Sequence, residues 1–260
     1  MSRMDLVGIP SDKKARYEKD HRDFLAKSLP KRQRRVDDNP DRDRFEGLQA
    51  FLLRSLAYAH FGMPPAELTR CVNTARLYFE SNWSDDDYPA CRDKKPGNKD
   101  LFWFDIFRSG FLASLLADDT EALHALAAWT EHWMVPEPSD EDPLYAGTYL
   151  LLAAHFTSRS SESEYEKLAT SVLKSRKKGP KLLLQAWQAA VAGDEKEFTV
   201  ILKKSLQHFL ETRSFVPSPE DYLAVHQSTV VAAARTLGMT PLALPPELEA
   251  LLLTQETIQP

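Results

Sequence analysis

The stretch that most constrains the fold is residues 181–212, which predicts two helices joined by a tight corner. Apolar side chains in its first half recur at i, i+3, i+4, i+7 and i+8, namely Leu183, Ala186, Trp187, Ala190 and Val191. Gly193 ends that helix, and Asp194 with Glu197 predicts a capping box for the next. A second stripe follows, formed by Phe198, Ile201, Leu202, Leu206, Phe209 and Leu210. We therefore expect a helical hairpin with its two apolar faces packed together.

A similar sequence pattern elsewhere in the chain suggests that this hairpin is one unit of a stack. Residues 115–123 align with residues 190–198 at an offset of 75. In both segments a helix ends on small residues and an acidic residue starts the next, with Asp118 and Glu121 predicted as the first capping box. Two such corners indicate stacked helical hairpins.

Similar stripes, caps and proline positions predict helices along the rest of the chain. Their approximate ranges are 13–29, 41–61, 64–79, 104–116, 118–134, 145–156, 161–173, 218–237 and 246–253. Residues 1–12 have no periodicity and are expected to be loose. No segment alternates with a period of two, so we predict no β-sheet.

The predicted fold is therefore all-α, with about ten helices stacked as antiparallel hairpins, either in a repeat-like array or in a compact bundle. Residues 1–40 form a charged N-terminal segment with one helix, and residues 41–260 form a single α-helical domain.

The charge is unevenly distributed. Residues 1–44 contain thirteen Lys and Arg against nine Asp and Glu, which leaves twenty basic against twenty-nine acidic residues in the remainder. An acidic body disfavours nucleic acid and suits a basic protein partner. Residues 31–43 carry dense charge of both signs without interleaved aromatic side chains, which favours a solvated linker over a nucleic-acid contact.

The sequence also predicts the cellular location of the protein. It has no run of eighteen apolar residues, and its N-terminus lacks the apolar region of a signal peptide. Two cysteines, Cys71 and Cys91, are too few for a disulfide framework, and we expect them to be reduced. We therefore expect a cytoplasmic protein with no membrane contact.

Two acidic loops interrupt the helical pattern, at residues 81–99 and 135–143. Loops of this length are often functional. An aromatic side chain beside several carboxylates is typical of an interface anchor with a charged rim, although a solvated loop is the plainer interpretation. The predicted partner-binding residues are Trp83, Asp85, Asp86, Asp87, Tyr88, Glu137, Asp140, Glu141 and Asp142.

Motifs for catalysis or cofactor binding were sought, and none was found. The sequence lacks a glycine-rich phosphate loop, a nucleophile elbow, Cys-x-x-Cys and His-Glu-x-x-His. His124, His132 and His155 do not have metal-ligand spacing. His226 and Ser228 lie two residues apart on a helix and so point away from each other. We predict no catalytic, cofactor or metal site.

Three features together carry a resemblance to a known family. They are an Ala-rich helix that ends at Gly193-Asp194, a helix that ends near His208, and an Ala-rich helix that ends in Arg235-x-x-Gly238. With these features residues 182–239 resemble the C-terminal part of bacterial immunity proteins from polymorphic-toxin loci, and the fit is best to the immunity protein 49 family. Residues 110–129 are similar in character to the middle of that family.

The resemblance implies an all-helical cytosolic antitoxin that binds and occludes a cognate toxin, and it supplies no residue-level binding signature. On this hypothesis the two acidic loops cover a basic toxin surface. Two alternatives stay open: a helical-repeat scaffold for protein interactions without a toxin partner, and an all-helical metal-dependent enzyme. The sequence does not determine the oligomeric state.

Overall fold

The computed structural model describes residues 3–23, 26–27, 31, 101–130, 141–159, 163–213 and 223–258. Of this part of the chain 77% is helical, and it contains no strand, so the all-α prediction is confirmed. The predicted helices at 41–61 and 64–79 and the loop at 81–99 lie outside the described residues, as does the domain boundary near residue 40.

The helices are numbered here in chain order. They are α1 (Arg3–Leu6), α2 (Ser11–Asp23), α3 (Leu101–Leu116), α4 (Thr120–Trp129), α5 (Glu141–Phe156), α6 (Ser163–Lys174), α7 (Lys178–Val191), α8 (Glu195–Thr212), α9 (Val225–Thr236), α10 (Pro246–Glu249) and α11 (Gln255–Ile258). Within these ranges, no helix is both long enough and apolar enough to cross a membrane.

The hairpin of α7 and α8 forms as its two stripes predict. The α7 stripe is buried at four of its five positions, but Val191 is 48% exposed because it lies at the end of the helix, beside the corner. On α8 the side chains of Phe198, Ile201, Leu202 and Leu206 are buried, while Phe209 and Leu210 pack partly buried against the core. Helices α7 and α8 pack against each other more extensively than any other described pair, so the predicted hairpin is confirmed.

Four helices, α3, α5, α7 and α9, end in the same hydrogen-bonded corner. The first residue beyond the C-cap is Asp118, Ser158, Gly193 or Gly238, with a positive φ of 55°, 60°, 74° or 75° respectively. The amide of the following residue donates to the carbonyl five residues earlier, over 3.0, 2.8, 3.0 and 3.0 Å. This is the Schellman motif, which satisfies carbonyls that a helix end would otherwise leave unpaired. The similar pattern in the sequence is therefore a repeated corner, and α5 and α9 each add a further copy.

The capping residue at the first corner differs from the one predicted. The side chain of Asp119, not Asp118, accepts a hydrogen bond from the Ala122 amide at 3.0 Å. At the α7–α8 corner the Asp194 carboxylate accepts from the Glu197 amide at 2.9 Å, as predicted. Asp118 thus occupies the position of Gly193, and its carboxylate is not used as the cap.

The hairpins α3–α4, α5–α6 and α7–α8 are stacked in chain order. Each second helix also contacts the first helix of the next hairpin, and α5 contacts both α3 and α7. Nearest-neighbour stacking of this kind is typical of helical-repeat arrays. Helices α5 and α6 of the middle hairpin lie close together at Gly147, where an added Cβ would lie 3.0 Å from Leu168 Cδ1. We infer that this glycine lets α5 and α6 approach each other.

Helix α9 covers the face formed by the first helices of the hairpins. It packs against α3, α7 and α8, and eight consecutive residues, from Gln227 to Ala234, are buried. The C-terminal segment then runs along it, since Ala224 N donates to Leu251 O at 3.0 Å and Leu253 N donates to Ser228 Oγ at 2.9 Å. The array is therefore closed on this face by α9.

The expectation that residues 1–12 are loose is wrong. Val7 and Ile9 are 1% and 4% exposed and belong to the same core as the hairpins. Arg213 Nη1 donates to the Val7 carbonyl at 3.1 Å, and Lys14 pairs with Asp5 between α1 and α2. Two isolated apolar residues have no periodicity, so the sequence pattern does not predict this packing.

Five helix boundaries also differ from the predicted ones. α2 begins at Ser11, two residues earlier than expected. Pro143 and Pro180 lie inside the first turns of α5 and α7, where a proline is tolerated because the amides there have no intrahelical partner. α9 begins only at Val225, and α10 stops at Glu249, short of the predicted residue 253.

Candidate functional site

A polar cluster connects α3, α5 and α9 inside the array. Arg108 Nη1 lies 3.4 Å from His226 Nε2, and His226 Nδ1 lies 3.2 Å from the Tyr149 hydroxyl. The Tyr149 hydroxyl is in turn 3.0 Å from Thr229 Oγ1, which donates to the Val225 carbonyl at 3.0 Å. One chain of hydrogen bonds therefore joins three helices that are far apart in sequence.

The direction of each bond follows from the number of protons available. The Thr229 hydroxyl donates its proton to Val225, so it must accept from Tyr149. Tyr149 has then used its own proton and must accept from His226 Nδ1–H. Nε2 is left without a proton and accepts from Arg108. The network thus selects one neutral tautomer of His226.

The surroundings of His226 favour the same neutral form. Burial, reinforced by the positive charge of Arg108, lowers the pKa of His226 well below its usual 6.5. The Tyr145 ring stacks on the imidazole with centroids 4.0 Å apart and planes 7° apart, and Tyr149 meets it edge-on at 5.7 Å. Both ring nitrogens of His226 have hydrogen-bond partners within the protein. The cluster is therefore suited to holding α3, α5 and α9 in fixed positions relative to one another.

Two of the predicted partner-binding residues lie next to this cluster in the chain. Glu141 and Asp142 were expected in a loop, but they belong to the first turn of α5, four and three residues before Tyr145. The loop prediction is wrong there because Pro143 is compatible with a first turn. Acidic residues in a first turn also complement the positive end of the helix macrodipole. The remaining predicted residues, Trp83, Asp85, Asp86, Asp87, Tyr88, Glu137 and Asp140, lie outside the described residues.

Helices α3 and α5 run in the same direction. Phe107 meets Tyr149 edge-on at 6.4 Å, and Phe111 meets Phe156 at 5.8 Å, so residue numbers increase together along the two helices. Their N-termini consequently lie at one end of the array, which we call the acidic end because the run Asp85–Asp87 precedes α3 in the chain and Glu137 and Asp140 precede α5. Helix α9 also begins there, since Tyr145 pairs with His226 and Tyr149 with Thr229.

The histidines considered as metal ligands have aromatic neighbours. His155 meets Trp187 edge-on at 5.4 Å, and His124 meets Phe156 at 6.4 Å. In the described ranges no group of three or more His, Cys, Asp or Glu side chains could hold a metal ion. His132 lies outside those ranges. His226 and Ser228 have separate partners, as predicted, because Ser228 Oγ donates to Ala224 O at 2.8 Å.

The sequence did not reveal the cluster as a unit. Of its members, only His226 was considered for a functional role, beside Ser228, and Arg108 was not singled out. The available signal was the pair of tyrosines at i and i+4 on α5, facing His226 and Thr229 at i and i+3 on α9. Arg108 and His226 are 118 positions apart in the sequence, so no local pattern predicts that they pair.

No protein-family model, no curated protein and no solved structure matches this chain.

Proposed function

We propose that the protein is a cytosolic immunity protein that binds and occludes a basic bacterial toxin through the acidic end of its helical array. The observation that carries the proposal is the parallel packing of α3 and α5. The acidic run Asp85–Asp87 precedes the first of these helices in the chain, and Glu137 and Asp140 precede the second. Both segments can therefore contribute to one surface, although they are some fifty residues apart in sequence.

The fixed framework behind this end supports the proposal. The His226 cluster ties α3, α5 and α9 together within about two helical turns of the start of α5. A rigid scaffold behind the contacting residues is the usual arrangement of a binding site, because less conformational entropy is lost on association. Carboxylates at the rim would then steer a basic partner and raise its association rate.

The repeat architecture favours a second candidate, a protein-interaction scaffold without a toxin partner. Three stacked hairpins with equivalent corners are the framework that helical-repeat proteins use for binding. Both functions involve protein binding, and they differ in whether the partner is toxic to the cell.

Charge reversal tests where the partner binds. The partner would be isolated by co-purification from the native host, and its affinity measured by calorimetry at two salt concentrations. We expect Asp85, Asp86 and Asp87 changed together to Lys to lower the affinity by about tenfold or more and to flatten its salt dependence, because unlike charges at the rim are replaced by like charges.

A matched control changes the same number of charges elsewhere. Glu121, Glu166 and Glu249 are exposed residues of α4, α6 and α10, and together they give the same change of net charge when replaced by Lys. We expect this triple variant to bind the partner with nearly wild-type affinity. Equal losses in both variants would show that only net charge matters and would contradict the proposed surface.

A further inference from the structure

A strongly basic turn connects α6 and α7. Residues 174–181, which we call the basic turn, read Lys-Ser-Arg-Lys-Lys-Gly-Pro-Lys and contain five cations and no acidic residue. One of the five, Lys181, is half-buried, and the others are exposed, namely Lys174, Arg176, Lys177 and Lys178. The turn therefore presents a concentrated positive charge on a chain whose formal net charge is -5.

The basic turn lies at the acidic end of the array. Helices α5 and α6 form a hairpin, so they run in opposite directions, and Gly147 in the second turn of α5 faces Val172 in the last turn of α6. Helix α7 reverses direction again, since His155 near the end of α5 meets Trp187 near the end of α7 at 5.4 Å. The turn between α6 and α7 is consequently level with the N-terminus of α5.

The fold leaves most of this positive charge without a counter-charge. Lys178 Nζ lies 4.0 Å from Glu211 Oε2, and both side chains are more than half exposed. Such an exposed pair contributes little to stability. Among the described residues, no carboxylate forms an ion pair with any of the other four cations.

Three of the cations are also unfavourable for the helix that they begin. Lys177 is the N-cap of α7 and makes no capping hydrogen bond with its side chain, and the first turn of α7 has no acidic residue. Cations at this end oppose the helix macrodipole, whereas α6 and α8 have glutamates in their first turns. Folding stability therefore does not explain Lys177, Lys178 and Lys181. Residues that break such a local rule without a structural gain are typical of functional sites.

An acidic patch on a folded protein fits the basic turn better than a nucleic acid does. The turn has no aromatic side chain on which a base could stack. A long polyanion would also be repelled by the acidic body of the chain. A compact acidic patch can contact the turn alone.

We propose that the basic turn contacts an acidic patch on the same partner whose basic surface meets the acidic end, so that the interface carries both signs of charge. This inference rests on the proposed function. Two neighbouring patches of opposite sign accept the partner in one orientation, because the reversed orientation would bring like charges together. The basic turn thus contributes to specificity as well as to affinity.

Changing Lys177, Lys178 and Lys181 together to Glu tests this inference. Calorimetry with the protein that co-purifies from the native host should show an affinity lower by about tenfold or more, because like charges replace unlike ones. The Tm of the variant alone should rise by about 1–3 °C, since glutamates at the start of α7 complement the macrodipole. Weaker binding by a variant that is at least as stable as the wild type cannot be attributed to unfolding.

The matched control changes three exposed lysines of α6 and α8 to Glu, with the same change of net charge, namely Lys167, Lys196 and Lys204. We expect it to bind the co-purified protein with nearly wild-type affinity. A partner that presents only positive charge would bind the basic-turn variant more tightly, so tighter or unchanged binding, or equal losses in both variants, would overturn the inference. If the Asp85/Asp86/Asp87→Lys variant still binds more weakly in that case, the proposed function stands and only the role of the basic turn is wrong.

Discussion

The pH dependence of stability should show whether His226 is held neutral in the folded protein. Its folded-state pKa lies well below 6.5, so below neutral pH the unfolded chain takes up a proton at this residue that the folded protein does not. The contribution of neutral His226 to the free energy of unfolding is fully present above the unfolded-state pKa of the residue. It is lost as the pH falls from about 7 towards the folded-state pKa. We therefore expect mild acid to destabilise the protein through this residue.

The size of the effect follows from the unfolded-state titration. Between pH 7.0 and 5.5 an unfolded imidazole with a pKa of about 6.5 changes from about 24% to about 91% protonated, which costs the folded state about 1.3 kcal/mol. For a chain of this length that corresponds to about 3–5 °C in Tm. Burial and the positive charge of Arg108 are the causes that oppose protonation in place.

Urea denaturation at several pH values between 7.0 and 5.5 measures this loss. His226→Asn keeps an N–H donor near the Nδ1 position but cannot titrate, so its stability should fall by about 1.3 kcal/mol less than that of the wild type over this range. His124→Asn makes the same replacement at an exposed position and is the control for the change of side chain. If His226→Asn loses as much stability as the wild type, His226 is not held neutral and the assigned tautomer is wrong.

Two further predictions concern the corners and the core. Asp119→Ala and Asp194→Ala should each lower the free energy of unfolding by about 1 kcal/mol, because each removes a helix cap. The two losses should add in the double variant, because the caps lie at separate corners. Chemical denaturation of the four proteins checks this, and a cost near zero at either position would contradict the caps. Leu202→Ala should cost about 2–5 kcal/mol because the side chain is fully buried, whereas Val200→Ala, at a position 39% exposed, should change stability by less than about 0.5 kcal/mol in the same assay. Similar losses for Leu202 and Val200 would contradict the assigned faces of α8.

Hairpin structure was predictable because local periodicity determines it. The stripe on α7, the Gly193-Asp194 corner and the stripe on α8 all lie within about thirty residues, and each obeys rules that depend only on neighbours in sequence. The displaced cap at Asp119 shows the limit of these rules. Two adjacent aspartates satisfy the same pattern, and only the backbone geometry distinguishes the residue with positive φ from the capping residue.

Helix α9 shows why the arrangement of the hairpins was not predictable. It is buried along eight consecutive residues, so no polar face marks its orientation, and a helix covered on most sides carries only a weak amphipathic signal. Its placement against α3 depends on contacts between residues more than a hundred positions apart. The His226 cluster arises from these long-range contacts.

The central claim, that the chain is an immunity protein, is tested most directly by a growth assay in its native host or a related bacterium. A protein that co-purifies with the chain would be expressed from an inducible promoter, with the wild type, the Asp85/Asp86/Asp87→Lys variant or the Glu121/Glu166/Glu249→Lys control co-expressed at equal levels. We predict that the partner alone stops growth, that the wild type and the control restore it, and that the Asp85/Asp86/Asp87→Lys variant does not. A partner that is harmless when expressed alone, or toxicity that the wild type leaves unchanged, would contradict the account.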